Sequence, residues 1–451
     1  MKIRKRNGLL FALLTVVPAQ AADEALPVAP GRRVITLTPQ PGEFHTPVIA
    51  INPLDPRQLV AGFQSKTSAS YSTDAGQHWT LAEGTAPAEY RATGDTSVTF
   101  DRQGHAILCF IAFDGAGVFK YWGHNPKRNG VVIRRALDGG KTWEPRTIPV
   151  IEHAEAPGIP FEDKPYIVAD NQPKSPHAGN LYVGWSNDQM TEALIVMSRS
   201  TDGGLTWSAP VRLSDHAGFP RDDNGTVEGF HGVVTPDGAL HVVWSDSSHV
   251  VYAVSRDGGK TFSRNRWIAD TGPTHFAVLG AAESNGYPQI GMFPGGRLYV
   301  TWSDYRNGDV DVFCISSADG GRKWTAPVRV SSDSVHNGAD QLWQWMAVDP
   351  ASGAVNVMFY DRRRDPANRS ADVVLARSTD EGRTFRNYLL SENPFDPQGG
   401  SIGEYTTVTA FDGRVYGTWT EILPRAQQSD PLKAVIRVGS ADFRDQQEGK
   451  K

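Results

Sequence analysis

The residues of this chain best equipped for chemistry sit in short polar stretches between apolar runs. Phe359-Tyr-Asp361-Arg-Arg-Arg364-Asp365 sets three arginines beside two carboxylates. Arginine forks bind carboxylates and sulfates bidentately, although Arg–Asp pairs within one loop also serve only to order it. Gly403-Glu404-Tyr405 joins a carboxylate to a phenol. Paired carboxylates at glycosidic spacing would support hydrolysis of a sugar linkage. A histidine–tyrosine pair with a neighbouring arginine, for which His231, Tyr287 and Arg306 are the candidates, would instead suit proton abstraction beside a uronate carboxylate. Asp304-Tyr-Arg-Asn-Gly-Asp309-Val-Asp311 is acidic enough to suggest Ca²⁺, but a hairpin tip rich in Asn-Gly and Asp looks the same without metal. No metal ligand and no cofactor is assigned.

The elements that must position these groups are set by a repeat. Ser72-Thr-Asp74-Ala-Gly76-Gln-His-Trp79 returns as Ala136-Leu-Asp138-Gly-Gly140-Lys-Thr142-Trp143 and as Ser200-Thr-Asp202-Gly-Gly204-Leu-Thr206-Trp207. Further copies carry Asp257, Asp319 and Asp380. The six aspartates recur about every 60 residues, a period that belongs to propellers and other arrays. An alternating apolar strand precedes each copy. The Asp carboxylate accepts N–H bonds within its own turn, the second glycine supplies a left-handed backbone position, and the aromatic opens the next strand. These six aspartates are therefore structural hairpin staples.

The inner and second strands repeat as well, beginning near Pro47, Ser97, Tyr166, Gly232, Gln289, Met346 and Thr407. That makes seven units against six intact motifs. Ser440-Ala-Asp442-Phe443 is a seventh motif cut short after its aspartate. Arg33-Val-Ile-Thr-Leu-Thr38 resembles the strands that follow intact motifs, such as Val211-Arg-Leu-Ser214. The expected fold is all-β: a propeller of four-stranded blades, seven in number with six as the alternative, its last blade completed by the N-terminal strand. Closure of that kind removes exposed sheet edges.

The motif resembles the Asp-box, or BNR, repeat of the sialidase-like β-propeller superfamily. The resemblance implies boxes between the third and fourth strands, on the face away from the ligand site, and it is the source of the six-blade alternative. The loops of the opposite face then bring together His231, Asp361, Glu404 and Tyr405 as catalytic candidates, and His45, Asp95, Asp163, Gln289, Arg306, Trp345 and Arg362 as ligand-binding candidates. Sialidases pair a glutamate with a tyrosine nucleophile, but adjacent Glu404 and Tyr405 would point to opposite sides of a strand. They also open the first blade with an aromatic-Arg-Ile-Pro motif, where this chain has Phe44-His45-Thr46-Pro47, and place an acid/base Asp before the first box, where Gln64-Ser-Lys66-Thr-Ser-Ala-Ser70 has no carboxylate. A glycan or other polar ligand is expected, glycosidase-like, with true sialidase activity doubtful. A non-catalytic propeller binding a glycan or protein partner, and a polysaccharide lyase, are the alternatives.

Of the 451 residues, 39% are hydrophobic, with 45 Gly, 30 Pro and a formal charge of -5. A mildly acidic surface gives no reason to expect nucleic-acid binding. Lys2, Arg4, Lys5 and Arg6, the apolar Gly8–Val17 run and Ala19-Gln20-Ala21 read as a signal peptide over 1–21, so export to the periplasm or beyond is expected. A linker over 22–31, the propeller over 32–443 and a polar tail over 444–451 complete the division. No apolar run is long enough to span a membrane, and a monomer is expected. Cys109 and Cys314, distant in the repeat array, read as two buried thiols rather than a disulfide.

Overall fold

A computed structural model describes residues 25–64, 67–282, 284–403 and 405–446. The expected signal peptide, Lys66, Glu404 and the end of the tail lie outside the described residues.

Seven four-stranded antiparallel sheets account for every strand. Six are simple meanders, beginning at the inner strands His45–Ile51, Ala92–Phe100, Phe161–Ala169, Val227–Val234, Gln289–Met292 and Gln341–Val348. In the seventh, Thr407–Phe411, Arg414–Ile422 and Ala434–Asp442 are completed by Arg33–Thr36, which pairs antiparallel with Arg437–Ser440. Neighbouring inner strands touch around a closed circle. The protein is thus a seven-bladed propeller, and the six-blade alternative is set aside. Residues assigned to a linker are packed rather than loose: Ala29 N–H donates to the Leu389 carbonyl and Pro27 accepts the Leu389 N–H on the sixth blade's edge, and Ala29 is buried.

The blades stack because their second and third strands are apolar on both faces. Leu181–Asp188 and Val355–Asp361 are buried almost throughout. Trp185, Trp244, Trp302 and Trp419 occupy equivalent places near the ends of second strands and are fully buried. Cys109 and Cys314 lie in such strands, both buried and unpaired.

The boxes work as hairpin staples and as blade-to-blade seats. Asp202 accepts the Thr206 N–H at 3.0 Å and the Thr206 hydroxyl at 2.6 Å, while Ser200 Oγ accepts the Gly204 N–H at 2.9 Å. Gly204 has φ +87°, and a Cβ there would stand 2.7 Å from Ile133 of the preceding blade. Both the turn and the close approach therefore demand glycine. Strand order puts these hairpins on the face opposite the loops that lead into the inner strands. Asp202→Ala should lower stability by roughly 1–3 kcal/mol through lost turn hydrogen bonds, read as a drop in melting temperature with ligand affinity unchanged.

Candidate functional site

A recurrent irregularity shapes the loop face. Five inner strands begin with a register shift, between His45 and Val48, Gly94 and Ser97, Asp163 and Tyr166, Glu228 and His231, and Leu342 and Trp345. Each shift contains a residue in the left-handed region: Thr46, Asp95, Lys164, Gly229 and Trp343. Bulges of this kind re-aim side chains next to active sites. Side chains stitch them together across blades. Thr96 Oγ1 donates to the Thr46 carbonyl at 3.0 Å, and Thr406 Oγ1 to that of Trp343 at 2.7 Å.

Two adjoining spaces open on this face. The larger, about 700 Å³, is lined by His45, Asp95 and Asp163 from strand starts. Its aromatic wall is formed by Phe113, Phe119, Trp122 and Phe161, with Phe276 opposite. Three loops frame it. Asp222 N–H donates to the Lys120 carbonyl at 3.1 Å, and Asn224 bonds the backbone of His275 in both directions at 2.8 and 2.9 Å. The smaller space is a narrow channel lined by His231, Gln289, Trp345 and Tyr405, with Tyr166 and Tyr287. Lys164 lines both.

Carboxyl groups dominate the wall between the two. Lys164 Nζ lies 2.8 Å from Asp163, 3.1 Å from Asp222 and 3.7 Å from Glu228. Tyr287 donates its hydroxyl to Glu228, and His275 Nε2 is 3.2 Å from that hydroxyl. Gly229, with φ +74°, makes this possible, because a Cβ there would run into the Tyr287 ring at 2.7 Å. Burial, and the Asp163 carboxyl hydrogen-bonded to it, push Asp95 well above the usual carboxylate range. Burial together with Asp163 and Glu228 does the same to Asp188. Burial raises Glu228, with Lys164 opposing. Burial alone would raise Asp222 as well, but Lys164 and His275 outweigh it and hold that carboxyl at about 2. The wall therefore places carboxyls pushed in opposite directions side by side, the arrangement that separates acid from base roles.

The sequence-based candidates divide into three groups. His45, Asp95 and Asp163 line the cavity. His231, Gln289, Trp345 and Tyr405 line the channel. His231 stacks on Tyr166 with ring centroids 4.1 Å apart, accepts the Ile290 N–H on Nδ1, and is driven by burial to about 3. It is neutral at physiological pH. Gln289 is tied to the Tyr287 carbonyl at 2.7 Å and to Gln344 at 2.8 Å. Arg306, Asp361 and Arg362 line neither space. Arg306 closes on Asp304 at 2.6 Å and lies over the Phe313 ring. Asp361 is buried against Arg363 at 2.6 Å, and Arg362 is fully buried with Nη1 on the Asn368 carbonyl. These arginine-rich stretches order loops, the second of the two readings open for them. In the Asp304–Asp311 run, Asp304 takes the Trp302 indole and Arg306, Asp311 takes Arg329, Ser331 and Asn307, and Asp309 Oδ2 accepts the Gly338 N–H. The His231, Tyr287 and Arg306 grouping does not form. Tyr287 meets His275 and Glu228 instead.

Lys164, Asp222, Glu228 and His275 were not among the candidates. They are scattered over three blades with no local motif, and only the bulge after each inner-strand start hints that Lys164 and Glu228 turn toward the face.

A family model described as a BNR repeat-containing family member matches residues 180–401. A sialidase of Bacteroides fragilis (strain YCH46) is 28% identical over 216 residues, 43% of this chain. The chain spans 37% of that relative's length. A Hadza microbial sialidase superposes with a TM-score of 0.51 at 15% identity, covering 86% of this chain and 74% of that one. An ulvan lyase of polysaccharide lyase family PL25, bound to -[GlcA(1-4)Rha3S]-, gives a TM-score of 0.52 at 11% identity, covering 89% and 95%. At such identities these two likenesses are of fold alone. By its boxes, its closed ring of blades and the BNR match over residues 180–401, the chain is similar to the BNR-repeat proteins of the sialidase-like β-propeller superfamily.

Proposed function

We propose that the 700 Å³ cavity binds a glycan and that Asp95, positioned by its hydrogen bond to Asp163, is the general acid in hydrolysis of its glycosidic linkage. The observation that carries this reading is Asp95 facing an aromatic-walled space, its carboxyl hydrogen-bonded to Asp163 and pushed upward by burial and that neighbour. A raised carboxyl is the general acid a leaving sugar oxygen needs, and Asp163, hydrogen-bonded to it, helps hold that proton in place. Flat aromatic rings offer the apolar faces of sugar rings a platform, while the few polar groups fix orientation. Relatives that share the fold and act on carbohydrate, by their names, support the glycan as ligand class. The expected export would place the protein where such polymers occur.

The same cavity argues against an acidic sugar. Asp95, Asp163, Asp222 and Asp223 face Lys120 and Lys164, and among the described residues no arginine lines the space. Lys164 is already engaged by three carboxylates. His45 stands where the resemblance expects the first arginine of a carboxylate clamp, and a neutral imidazole supplies no permanent charge. A neutral glycan is therefore the substrate class. Nitrophenyl glycosides and oligosaccharides of neutral sugars should be turned over at least about 100-fold faster than a fluorogenic sialoside, the smaller end of what general acid help contributes. A uronate polymer should yield no unsaturated product. Robust sialoside turnover, or no turnover and no binding across the neutral panel, would overturn the reading.

A further inference from the structure

Asp222 and Glu228, six residues apart on the stretch entering the fourth inner strand, meet His275 from the following loop at one point. One ligand atom from each lies within 4.8 Å of the others. Hydrogen bonding does not exhaust this cluster. Glu228 Oε1 is buried without a partner, although Glu228 is 1% exposed. Asp188, 3% exposed, has Oδ1 equally unpartnered, and its carboxyl stands within electrostatic reach of Glu228, Asp222 and Asp163. Five carboxyls, those of Asp95, Asp163, Asp188, Asp222 and Glu228, thus crowd around the Lys164 ammonium and the His275 imidazole. Lys164 is closest to Asp163 and farthest from Glu228, so its one charge is spent mainly on one side. Buried carboxyl oxygens left unmatched are costly, and buried charges are ordinarily paired or coordinate metals.

We propose that Asp222, Glu228 and His275 form a divalent cation site, of the mixed carboxylate–imidazole kind that suits Zn²⁺. Two carboxylate oxygens and one imidazole leave a fourth position open in a tetrahedral set, whereas Mg²⁺ and Ca²⁺ prefer oxygen alone. Outer contacts fit the role. Tyr287 donates to Glu228 and orients that carboxylate, and Asn224 ties the His275 backbone to the segment carrying Asp222. Partners of this kind fix ligands around a metal.

The test needs no glycan. The purified full chain is stripped with a chelator and titrated with Zn²⁺ by calorimetry, with Mg²⁺ as the comparison and melting temperature as a second readout. The expected result is one Zn²⁺ per chain, a raised melting temperature, and little heat with Mg²⁺. His275→Ala and Glu228→Gln should each weaken Zn²⁺ binding by at least about tenfold. His275 lies on a loop, so its variant keeps the test decisive if Glu228→Gln folds poorly. No saturable Zn²⁺ binding to the intact chain, or undiminished binding in His275→Ala, would overturn the site. A protein that hydrolyses neutral glycosides through Asp95 yet binds no Zn²⁺ would sink this proposal alone.

Discussion

Asp95→Asn is expected to cut turnover of a neutral glycoside by about a hundredfold to ten-thousandfold, the contribution typical of a positioned general acid. Binding of the same glycan should survive, because the amide keeps the shape and most of the hydrogen bonding of the acid. The pH dependence follows from the raised carboxyl. Asp95 acts while it holds its proton, so the rate should fall as pH rises through its elevated value, on a limb belonging to the Asp95–Asp163 pair as a unit. Stability should fall over the same range of rising pH. The folded protein holds a proton here that the unfolded chain releases near 3.9. Asp95 therefore costs stability increasingly as pH climbs from that value toward the folded one. Asn carries no such cost, so the variant should melt higher than the parent at neutral pH, with the gap closing in acid. Kinetics and thermal melts across pH check both halves. A variant with full activity, or a parent whose rate rises through that limb, would contradict the assignment.

Deleting residues 32–39 should destabilise the protein by at least about 4 kcal/mol, in the exceptional range for a local change. Arg33–Thr36 is the outer strand of the seventh sheet, and Leu37 N–H continues the ladder to the Ile436 carbonyl at 2.8 Å. Leu37 and Thr38 are buried, and Arg32 reaches the Ser391 carbonyl at 2.7 Å. Removing them strips the edge of Ala434–Asp442 and opens the ring where chain ends meet. The expected readouts are a lowered melting temperature and a tendency to associate through the bared edge. An unchanged melting temperature would mean that the ring does not depend on this closure.

The fold was legible because its signal is periodic and local. Box, strand and tryptophan recur with the blade, and the Arg33–Thr38 strand could be matched to its neighbours by likeness to Val211–Ser214. The site was legible only where strand starts could be counted. That rule found His45, Asp95 and Asp163, which line the cavity. It also drew in His231, Gln289 and Trp345, because counting cannot tell a side chain aimed at the mouth from one turned by a bulge into the narrow channel. Arginine content misled for a different reason. Arg306, Arg362 and Arg363 have aspartates two or fewer residues away, or a carbonyl of their own loop, and a guanidinium takes the nearest acceptor. Lys164, Asp222, Glu228 and His275 meet only because loops of adjacent blades interlock through Asn224 and Lys120. Nothing in their spacing along the chain foretells it.

The most direct test of the central claim is a crystal structure of the Asp95→Asn protein with the neutral oligosaccharide that the parent turns over fastest. The account predicts sugar density in the cavity beside Trp122 and Phe161, with the scissile oxygen within hydrogen-bonding distance of residue 95. Sugar bound on the Asp-box face, or in the cavity with its linkage out of reach of residues 95 and 163, would contradict it.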